Sequence, residues 1–416
     1  MGTQLWGFVI ARDQIIVGVD VGSTKVCTLI ADVGGEEPEI LGVGICPSQG
    51  MRKGVVIDVQ AAASSVMTSL HRAEQQSGFK AMRVFLGITG AHISSTNTHA
   101  VVAVRDASNV ISHDDVARIM DVARVIQLPA DQEILHVTPH HYTVDGTEGI
   151  QDPVGMMGRR LEIEANIITG SSTPIHNLMR CIESVEVEAD GMVLEPLAAG
   201  RAVLSTAERE LGAMVVDMGG GTTDAAIFKD GSIVHACVLP VGGVQIDNDL
   251  AFGLRTALPV AEEIKIRYGS TLATAARRGE RIRIPEYGHE EGQDIEQYMV
   301  AEIIDARLAE TFELLQTEIE KAGFGGTYPA GVVLTGGCAQ ISGIGTLVSE
   351  IMGVPARIGI PENLVGLADA IRSPNFAASA GLLEWGRDQL APPMKSSMNG
   401  NNPLGAIRSW FKNFLP

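Results

Sequence analysis

Two short segments of this chain combine an aspartate, glycines and hydroxyl side chains in a spacing suited to binding phosphate. The first places Asp20 just before Gly22, and the second, about 200 residues later, places Asp217 before three consecutive glycines. Glycine lets backbone N–H groups approach a phosphate closely, because a Cβ atom would collide with the ligand. Hydroxyls and a lysine add further donors. The candidate phosphate-binding residues are Gly22, Ser23, Thr24, Lys25, Gly219, Gly220, Gly221, Thr222 and Thr223.

The acidic residues of the same segments predict a divalent cation. A triphosphate needs a cation to offset its charge, and Mg²⁺ prefers oxygen ligands while keeping several of its waters. Asp20 and Asp217 each end an apolar strand and can hold Mg²⁺ through water. Asp224 can orient an attacking water or join the surroundings of the metal. The predicted ligands are therefore ATP and Mg²⁺.

A third glycine turn could seat the nucleoside end of such a ligand. Leu334 and Thr335 close an apolar run, and Gly336, Gly337 and Gln340 follow. Alone, this segment is better explained by ordinary strand–turn–helix packing. A single Asp–Gly turn could likewise be a capped hairpin. Two matching copies of that turn make chance a poor explanation.

The elements that carry these turns indicate a duplicated α/β fold. Each Asp–Gly turn lies between two apolar runs, which predicts strand, tight turn and strand in both halves of the chain. Residues 84–170 differ in character and predict an inserted β-α-β-β module. In this module Ser112 and Asp115 form a capping box at the start of a helix. Residues 255–325 predict a second, helical and charged insertion.

Composition excludes some partners. The chain has 416 residues, with 31 Lys and Arg against 50 Asp and Glu, a net charge of −19, and only 4% aromatic residues. An acidic, aromatic-poor surface repels phosphodiester backbones and offers few stacking platforms, so we expect no nucleic-acid partner. The five cysteines form no CxxC pair, which favours buried, reduced thiols.

The last residues suggest a membrane contact. Residues 387–402 are rich in Pro, Ser, Asn and Gly and predict a flexible linker. Residues 403–416 predict an amphipathic helix whose basic residues meet anionic lipid while its apolar face enters the headgroup region. A helix that docks on its own core or on a partner helix remains the alternative. The candidate membrane residues are Leu404, Ile407, Arg408, Trp410, Phe411, Lys412, Phe414 and Leu415.

Two further groups carry weaker signals. His136, His140 and His141 could suggest a metal, but Pro139 interrupts their strand and no carboxylate or cysteine is paired with them in sequence. We therefore expect no metal there. A basic stretch could contact an acidic peptide, although a solvated helical face is the simpler interpretation. Its members are Arg277, Arg278, Arg281 and Arg283.

The three glycine motifs resemble the phosphate-1, phosphate-2 and adenosine motifs of the actin, Hsp70 and sugar-kinase superfamily. The segment that begins at Glu195 (EPLAAG) resembles the connection between the two halves of that superfamily, whose acidic residue faces the attacking water. The loop with Gly242 and Gly243 resembles its ribose-side loop. Glu262 and Lys265 match its pair beside the adenosine, although without the resemblance a surface ion pair would be preferred. The resemblance makes Glu195 and Asp224 the candidate catalytic residues.

Within the superfamily, the whole chain from about residue 13 is similar to the FtsA family of bacterial cell-division proteins. The specific matches are residues 152–160 (DPVGMMGRR) and the amphipathic tail after a linker. The implied fold is α/β, an actin-like ATPase fold of two β/α domains around a nucleotide cleft. It carries a small inserted module of the SHS2 type and a C-terminal amphipathic helix.

The resemblance, together with the sequence pattern, gives nine segments. They are the first domain (13–83), the inserted module (84–170), the first domain again (171–205), the second domain (206–254), its small helical subdomain (255–325), the second domain again (326–370), a closing helix of the first domain (371–386), the linker (387–402) and the membrane helix (403–416).

The implied function is to tether the tubulin-like protein FtsZ to the cytoplasmic face of the plasma membrane, as a peripheral protein that polymerises head to tail. The FtsZ C-terminal tail would bind the small subdomain of the second domain, with Arg307 as a candidate, and later division proteins would bind the inserted module. Any ATPase would be slow. A pilus-assembly ATP-binding platform and a small-molecule kinase are the alternatives. A chaperone is disfavoured because too few residues follow Gly386 for a peptide-binding domain.

Overall fold

The computed structural model describes residues 14–272, 279–286 and 289–390. Arg277 and Arg278 of the predicted basic stretch lie outside these ranges, as does most of the predicted linker. The candidate membrane residues also lie outside the described residues: Leu404, Ile407, Arg408, Trp410, Phe411, Lys412, Phe414 and Leu415. Among the helices of the described ranges, none combines the length and apolar character that a membrane span requires.

The first part of the chain builds most of one domain. In order its elements are β1 (Ile15–Val21), β2 (Lys25–Asp32), β3 (Glu39–Pro47), β4 (Met51–Arg52), β5 (Val55–Val56), α1 (Val59–Ser77) and β6 (Arg83–Ile88). Helix α1 begins at Asp58, whose carboxylate accepts hydrogen bonds from two backbone N–H groups of the first turn, and it ends at Gly78 in the left-handed conformation.

The inserted module follows. Its elements are β7 (Ser94–Ala103), α2 (His113–Arg124), β8 (Gln132–Val144), β9 (Thr147–Ile150) and β10 (Arg160–Ser171). The predicted capping box of Ser112 and Asp115 is present at the start of α2. The sheet order is β7-β10-β8-β9, so the structure adds the short strand β9 to the predicted β-α-β-β pattern. The predicted start at residue 84 falls inside β6, which pairs with β1 of the first domain. The module therefore begins after Ile88.

The rest of the described chain completes the first domain and forms the second. In order the elements are α3 (Ser172–Glu183), β11 (Glu188–Leu194), α4 (Glu195–Val203), α5 (Thr206–Leu211), β12 (Ala213–Met218), β13 (Thr223–Lys229), β14 (Ser232–Leu239), α6 (Gly243–Gly253), α7 (Leu258–Tyr268), β15 (Arg281–Glu286), β16 (His289–Glu296), α8 (Gln297–Lys321), β17 (Val332–Thr335), α9 (Ile344–Met352), β18 (Ala356–Ile358), β19 (Val365–Gly366) and α10 (Ala377–Leu390).

The two main sheets repeat one topology, as the paired motifs predict. The first has the order β11-β6-β1-β2-β3-β19 and the second β14-β13-β12-β17-β18. Each contains three antiparallel strands (β1–β3 or β12–β14) with two parallel strands beside β1 or β12, and the first sheet has β19 as a sixth strand, parallel to β3. The turns match as well: the N–H of Gly22 donates to the carbonyl of Lys25, and that of Gly219 to the carbonyl of Thr222, both at 3.0 Å. The actin-like α/β fold class is confirmed.

Helices α4 and α10 lie between the two sheets. Helix α4 packs on β12 and β13 of the second domain, α10 packs on β1, β2 and β6 of the first, and the two helices contact each other. Side chains of both helices join a buried cluster that reaches into both domains. A Cβ atom on Gly381 of α10 would overlap the carbonyl oxygen of Ala198 on α4, so glycine sets how closely the helices cross.

Two further segment boundaries and one predicted type of secondary structure differ from the structure. Strand β19 joins β3 in the first-domain sheet, so the chain has returned to that domain by Val365 rather than by residue 371. Helix α10 continues through Leu390, four residues into the predicted linker. The insertion predicted to be helical contains the hairpin of β15 and β16. Arg281 and Arg283 therefore lie on a strand and not on a helical face. Their alternation with isoleucine has the period of two that is typical of a strand.

Candidate functional site

Four acidic side chains converge where the two domains face each other. Asp20 lies near the end of β1 and Asp217 near the end of β12, while Asp224 is the cross-strand partner of Asp217 in β13. Glu195 is the first residue of α4. All four are buried, with exposed fractions between 1% and 9%. The duplicated hairpins thus carry the predicted aspartates into one cleft, and the connecting helix adds the predicted glutamate.

Burial and mutual repulsion disfavour the negative charges of these four carboxylates, and a bound cation would offset both effects. Burial, reinforced by the other negative charges, raises the pKa of Asp217 to about 7. Burial also raises the pKa of Asp224 to about 7, against the hydrogen bonds it accepts. The pKa of Glu195 lies well above its usual range for the same reasons, and its Oε1 is buried without a hydrogen-bond partner. A divalent cation held by oxygen ligands fits this donor set.

One hydrogen bond and one nearby positive charge act on Asp20. Burial raises its pKa, while the charge of Lys25 and a hydrogen bond from Ser379 act in the opposite direction. The Ser379 hydroxyl, on α10, donates to Asp20 Oδ2 at 2.9 Å. Lys25 donates to the carbonyl oxygen of Asn375, and its ammonium lies 4.0 Å from the ring centroid of Phe376. The predicted phosphate-binding lysine therefore points toward the turn that precedes α10.

The two glycine turns contact each other across the cleft. A Cβ atom on Gly220 would overlap the side chain of Thr24, and one on Gly221 would overlap Ser23. Ser23 Oγ in addition accepts a 3.0 Å hydrogen bond from the N–H of Gly54, in the turn between β4 and β5. The glycines therefore let the two turns approach each other closely at the domain junction, where their backbone N–H groups and hydroxyls are brought together.

Thr89 belongs to the site although sequence reasoning did not select it. It follows β6, is buried, and its hydroxyl donates to Asp224 Oδ1. Strands β6 and β17 occupy equivalent places in the two sheets, beside β1 and β12. The same residue pair lies at the end of each, Thr89-Gly90 directly after β6 and Thr335-Gly336 at the last residue of β17. That repeat in the sequence was the available signal.

The candidate nucleoside side adjoins the second glycine turn. The N–H groups of Gly243 and Val244 donate to the carbonyls of Gly219 and Gly220 at 2.9 and 2.8 Å. This fastens the predicted ribose-side loop, Gly242 included, to the phosphate turn. Gly336 lies beside the carbonyl of Met218, the last residue of β12. The third glycine turn therefore packs where the second one begins.

Lys265 of α7 borders this region and pairs with a residue that the sequence did not indicate. Its ammonium lies 2.8 Å from both carboxylate oxygens of Asp247 on α6 and 3.3 Å from the carbonyl oxygen of Gly243. Glu262, its predicted partner, is exposed on the same helix. Gln340 is also exposed, and its amide donates to the Gly337 carbonyl at 3.5 Å.

Comparison with known proteins identifies the family. A family profile described as "Cell division protein FtsA" matches residues 214–381, and one described as "SHS2 domain inserted in FTSA" matches residues 90–169. Curated proteins named cell division protein FtsA are 38% identical in Pseudomonas aeruginosa, over 94% of this chain and 93% of that protein, and 31% identical in Escherichia coli K12, over 96% of each. The chain belongs to the FtsA family.

Solved structures with the same fold include other members of the actin-like group. The PilM–PilN type IV pilus biogenesis complex superposes with a TM-score of 0.64 at 15% identity, covering 91% of this chain and 99% of the other. MreB5 of Spiroplasma citri bound to AMPPNP superposes with a TM-score of 0.57 at 15% identity, covering 97% and 100%. The residues that the SHS2 profile matches in this FtsA family member are those that form the inserted module, from β7 to β10. The family assignment confirms the resemblance drawn from residues 152–160.

Proposed function

We propose that this chain binds Mg²⁺ and ATP in the cleft between its two domains. The observation that carries the proposal is the convergence of four buried carboxylates on two glycine turns that approach one another closely. Asp20 and Asp217 hold Mg²⁺, which neutralises negative charge on the phosphates. The phosphates lie against the turns, which contribute Gly22, Ser23, Thr24, Lys25, Gly219, Gly220, Gly221, Thr222 and Thr223.

The adenosine lies on the side of the second domain. Gly242, Gly243, Gly336 and Gly337 offer backbone surface there, since none presents a side chain to the ligand. Lys265, Glu262 and Gln340 border that surface with polar groups. An AMPPNP-bound MreB5 of similar fold supports a nucleotide in this cleft.

Hydrolysis at this site is slow. Glu195 and Asp224 are the groups that orient the attacking water. Burial raises the pKa of both carboxyl groups, so near neutral pH a larger fraction of each is protonated and cannot accept a proton until a cation bound nearby favours the carboxylate form. ATP therefore acts mainly as a conformational ligand, and its occupancy favours head-to-tail assembly of the chain with further copies of itself.

The cellular role that we propose is to attach FtsZ to the cytoplasmic face of the plasma membrane. Membership of the FtsA family supports a role in cell division over a pilus-assembly platform or a small-molecule kinase. The tail supplies the lipid contact through one apolar face and two cations, Arg408 and Lys412. Because a single short amphipathic helix binds reversibly, polymerisation strengthens attachment through avidity. Later division proteins bind the inserted module.

The FtsZ C-terminal tail binds the small subdomain that contains α7 and α8, near Arg307. That guanidinium already pairs with Asp249, at 3.0 Å between Nη2 and Oδ1, and with Glu310. An acidic peptide would have to compete with these two carboxylates. We therefore expect Arg307→Ala to weaken binding of a peptide from the FtsZ tail and to leave ATP binding unchanged, as measured by fluorescence anisotropy.

Sedimentation with anionic liposomes and ATP tests the adaptor role. The full chain is compared with one that ends at Asn402, each with and without FtsZ. We expect the full chain to sediment with the liposomes and to carry FtsZ with it, and the shortened chain to do neither. Equal sedimentation of both chains would refute the tail as anchor. Liposome binding without FtsZ recruitment would refute the adaptor role and favour the pilus-type platform.

A further inference from the structure

A cluster of two histidines and a glutamate lies at the contact between the inserted module and the second domain, away from the nucleotide cleft. His140 and His141 are neighbours in β8, and Glu164 lies in the adjacent strand β10. One ring nitrogen of each histidine and one carboxylate oxygen of Glu164 lie within 4.8 Å of one another. The sequence disfavoured a metal at these histidines because no paired carboxylate was visible. The fold supplies one from a distant part of the chain.

A β-bulge turns both histidines toward the same place. In the pairing of β8 with β10, His141 lies opposite Glu164 and Pro139 lies opposite Ala165, so His140 is the extra residue. Neighbouring residues of a regular strand point to opposite faces, and a bulge removes that alternation locally. The two rings accordingly contact each other edge to face, with centroids 4.7 Å apart.

The spacing of the ring nitrogens suits a shared metal ion. His140 Nδ1 and His141 Nδ1 are 3.2 Å apart. Two nitrogen ligands at about 2.0–2.1 Å from a tetrahedral Zn²⁺ ion lie about 3.3–3.4 Å from each other. Without an ion, the same contact needs one nitrogen to carry a proton and the other to accept it. One oxygen of Glu164 lies within 4.8 Å of a ring nitrogen of each histidine, and Glu164 Oε2 lies 3.8 Å from the second ring nitrogen of His141, Nε2.

A carboxylate that can support His140 comes from the second domain. Asp230 occupies the tight turn between β13 and β14, and its Oδ2 lies 3.5 Å from Nε2 of His140. That nitrogen is buried and makes no hydrogen bond within the described chain. Lys229 is the positive charge nearby, but Glu164 and Asp230 together keep the surroundings net negative.

We propose that His140, His141 and Glu164 bind a divalent transition-metal ion of the Zn²⁺ type, and that Asp230 of the second domain accepts a hydrogen bond from Nε2 of His140 and so orients its ring. Imidazole and carboxylate groups together suit Zn²⁺ better than Mg²⁺ or Ca²⁺. Through Asp230 the ion ties the inserted module to the second domain at the edge where the Ala236 N–H already donates to Ser95 Oγ at 3.2 Å. Its function is to stiffen that contact.

Zinc binding to the full chain tests the site. Zn²⁺ is titrated into nucleotide-free protein with excess Mg²⁺, in competition with a chromogenic zinc chelator. We expect one Zn²⁺ per chain, bound at least about tenfold more tightly by the parent than by His141→Ala or Glu164→Gln, since even outer partners of a metal ligand typically contribute that much. The matched control is His176→Ala, which removes a histidine paired with Glu133 at 3.3 Å. Equal affinity in all four proteins, or none in the parent, would overturn the proposal.

Asp230→Asn tests the contribution of the second domain. We expect this variant to bind Zn²⁺ more weakly than the parent. In the parent, Zn²⁺ is expected to slow hydrogen exchange at the Ala236 amide, and in the variant to leave it nearly unchanged. If Asp230→Asn matches the parent in affinity and in exchange, the ion does not connect the two parts and this portion of the proposal fails.

Discussion

Ser379 Oγ donates a 2.9 Å hydrogen bond to Asp20 Oδ2, which joins residues 359 positions apart. The bond places the first turn of α10 against the end of β1, inside the candidate nucleotide cleft. Its donor favours the ionised form of Asp20, against the effect of burial. The last described helix is therefore part of the site and not merely a support for it.

Removal of this donor is expected to weaken nucleotide binding. In Ser379→Ala, Asp20 loses a hydrogen bond that favours its charged form, so Mg²⁺-dependent ATP binding should weaken about tenfold. The loss should grow as the pH falls, because protonation of Asp20 competes with cation binding. A fluorescent ATP analogue titrated in Mg²⁺ at several pH values measures this. Ser349→Ala, which removes a 2.9 Å bond to the Val354 carbonyl in the second domain, is the control. Identical affinity in both variants would contradict the assignment.

Asp217→Asn is expected to stabilise the nucleotide-free chain at alkaline pH. Burial raises the pKa of Asp217 in the folded state to about 7 from its ordinary 3.8. The stability that the neutral carboxyl contributes is complete below about pH 3.8 and is lost as the pH rises through about 7. An amide stays neutral, so at pH 8 the variant should gain on the order of 2–4 kcal/mol, and less at pH 5.

Urea unfolding at the two pH values measures this difference. With Mg²⁺ and ATP added, the parent should become more stable and Asp217→Asn should respond far less, because the variant lacks a cation ligand. A variant that is less stable than the parent at pH 8 without nucleotide would count against an uncompensated carboxylate cluster.

His136 is expected to make the chain sensitive to acid. It is buried, its Nε2 accepts a 3.1 Å hydrogen bond from the Leu194 N–H, and its ring meets Trp385. Burial, with the nearby charge of Arg201, lowers its pKa to about 4 from 6.5. The unfolded chain therefore binds more protons between pH 6.5 and 4, and stability falls as the pH falls through that window.

His136→Gln keeps an acceptor for Leu194 and removes the titration. Between pH 7.5 and pH 5.0 the parent should lose about 2 kcal/mol more unfolding free energy than this variant. His176→Gln changes an exposed histidine and should follow the parent. Equal pH dependence in the parent and His136→Gln would show that His136 does not stay neutral in the fold.

Gly381→Ala is expected to disturb the helix crossing between the sheets. Its Cβ would overlap the Ala198 carbonyl, which forces α4 and α10 apart at a cost of about 2–3 kcal/mol. Gly345→Ala in α9 is the matched control, because its Cβ would meet nothing closer than 3.7 Å. That control should be unchanged or up to about 1 kcal/mol more stable. Thermal unfolding distinguishes the two, and similar melting temperatures would refute a tight crossing at Gly381.

The carboxylate and glycine turns were predictable because their pattern is local. Strand, aspartate, glycine and strand recur within about a dozen residues, and the hairpin geometry then dictates which side chains reach the cleft. Ser379 and Asp247 were not predictable in this way. Their roles depend on helices that return from elsewhere in the chain, and each resembles an ordinary helical polar residue in sequence. The pairing of Glu164 with His141 likewise requires a strand register that includes a bulge.

The hairpin of β15 and β16 was predictable from the sequence, but the prediction for this region was wrong. Charged residues dominated the interpretation of residues 255–325 as helical, although Arg281, Ile282, Arg283 and Ile284 alternate with a period of two. In the structure, Ile284 is buried and Arg283 is exposed, as that alternation requires. Periodicity was the better guide here, because charge alone does not distinguish an exposed strand from an exposed helix.

Helix α10 has a mechanical consequence. It contains 14 residues, which at 1.5 Å per residue makes a rod about 21 Å long. Near one end, Ser379 donates to Asp20. The other end is Leu390, after which the chain leads toward the candidate lipid-binding segment. A small rotation of the rod in the cleft would displace its far end several times as far as its near end. A change at the cleft that rotated this rod would therefore be carried to Leu390, the last described residue.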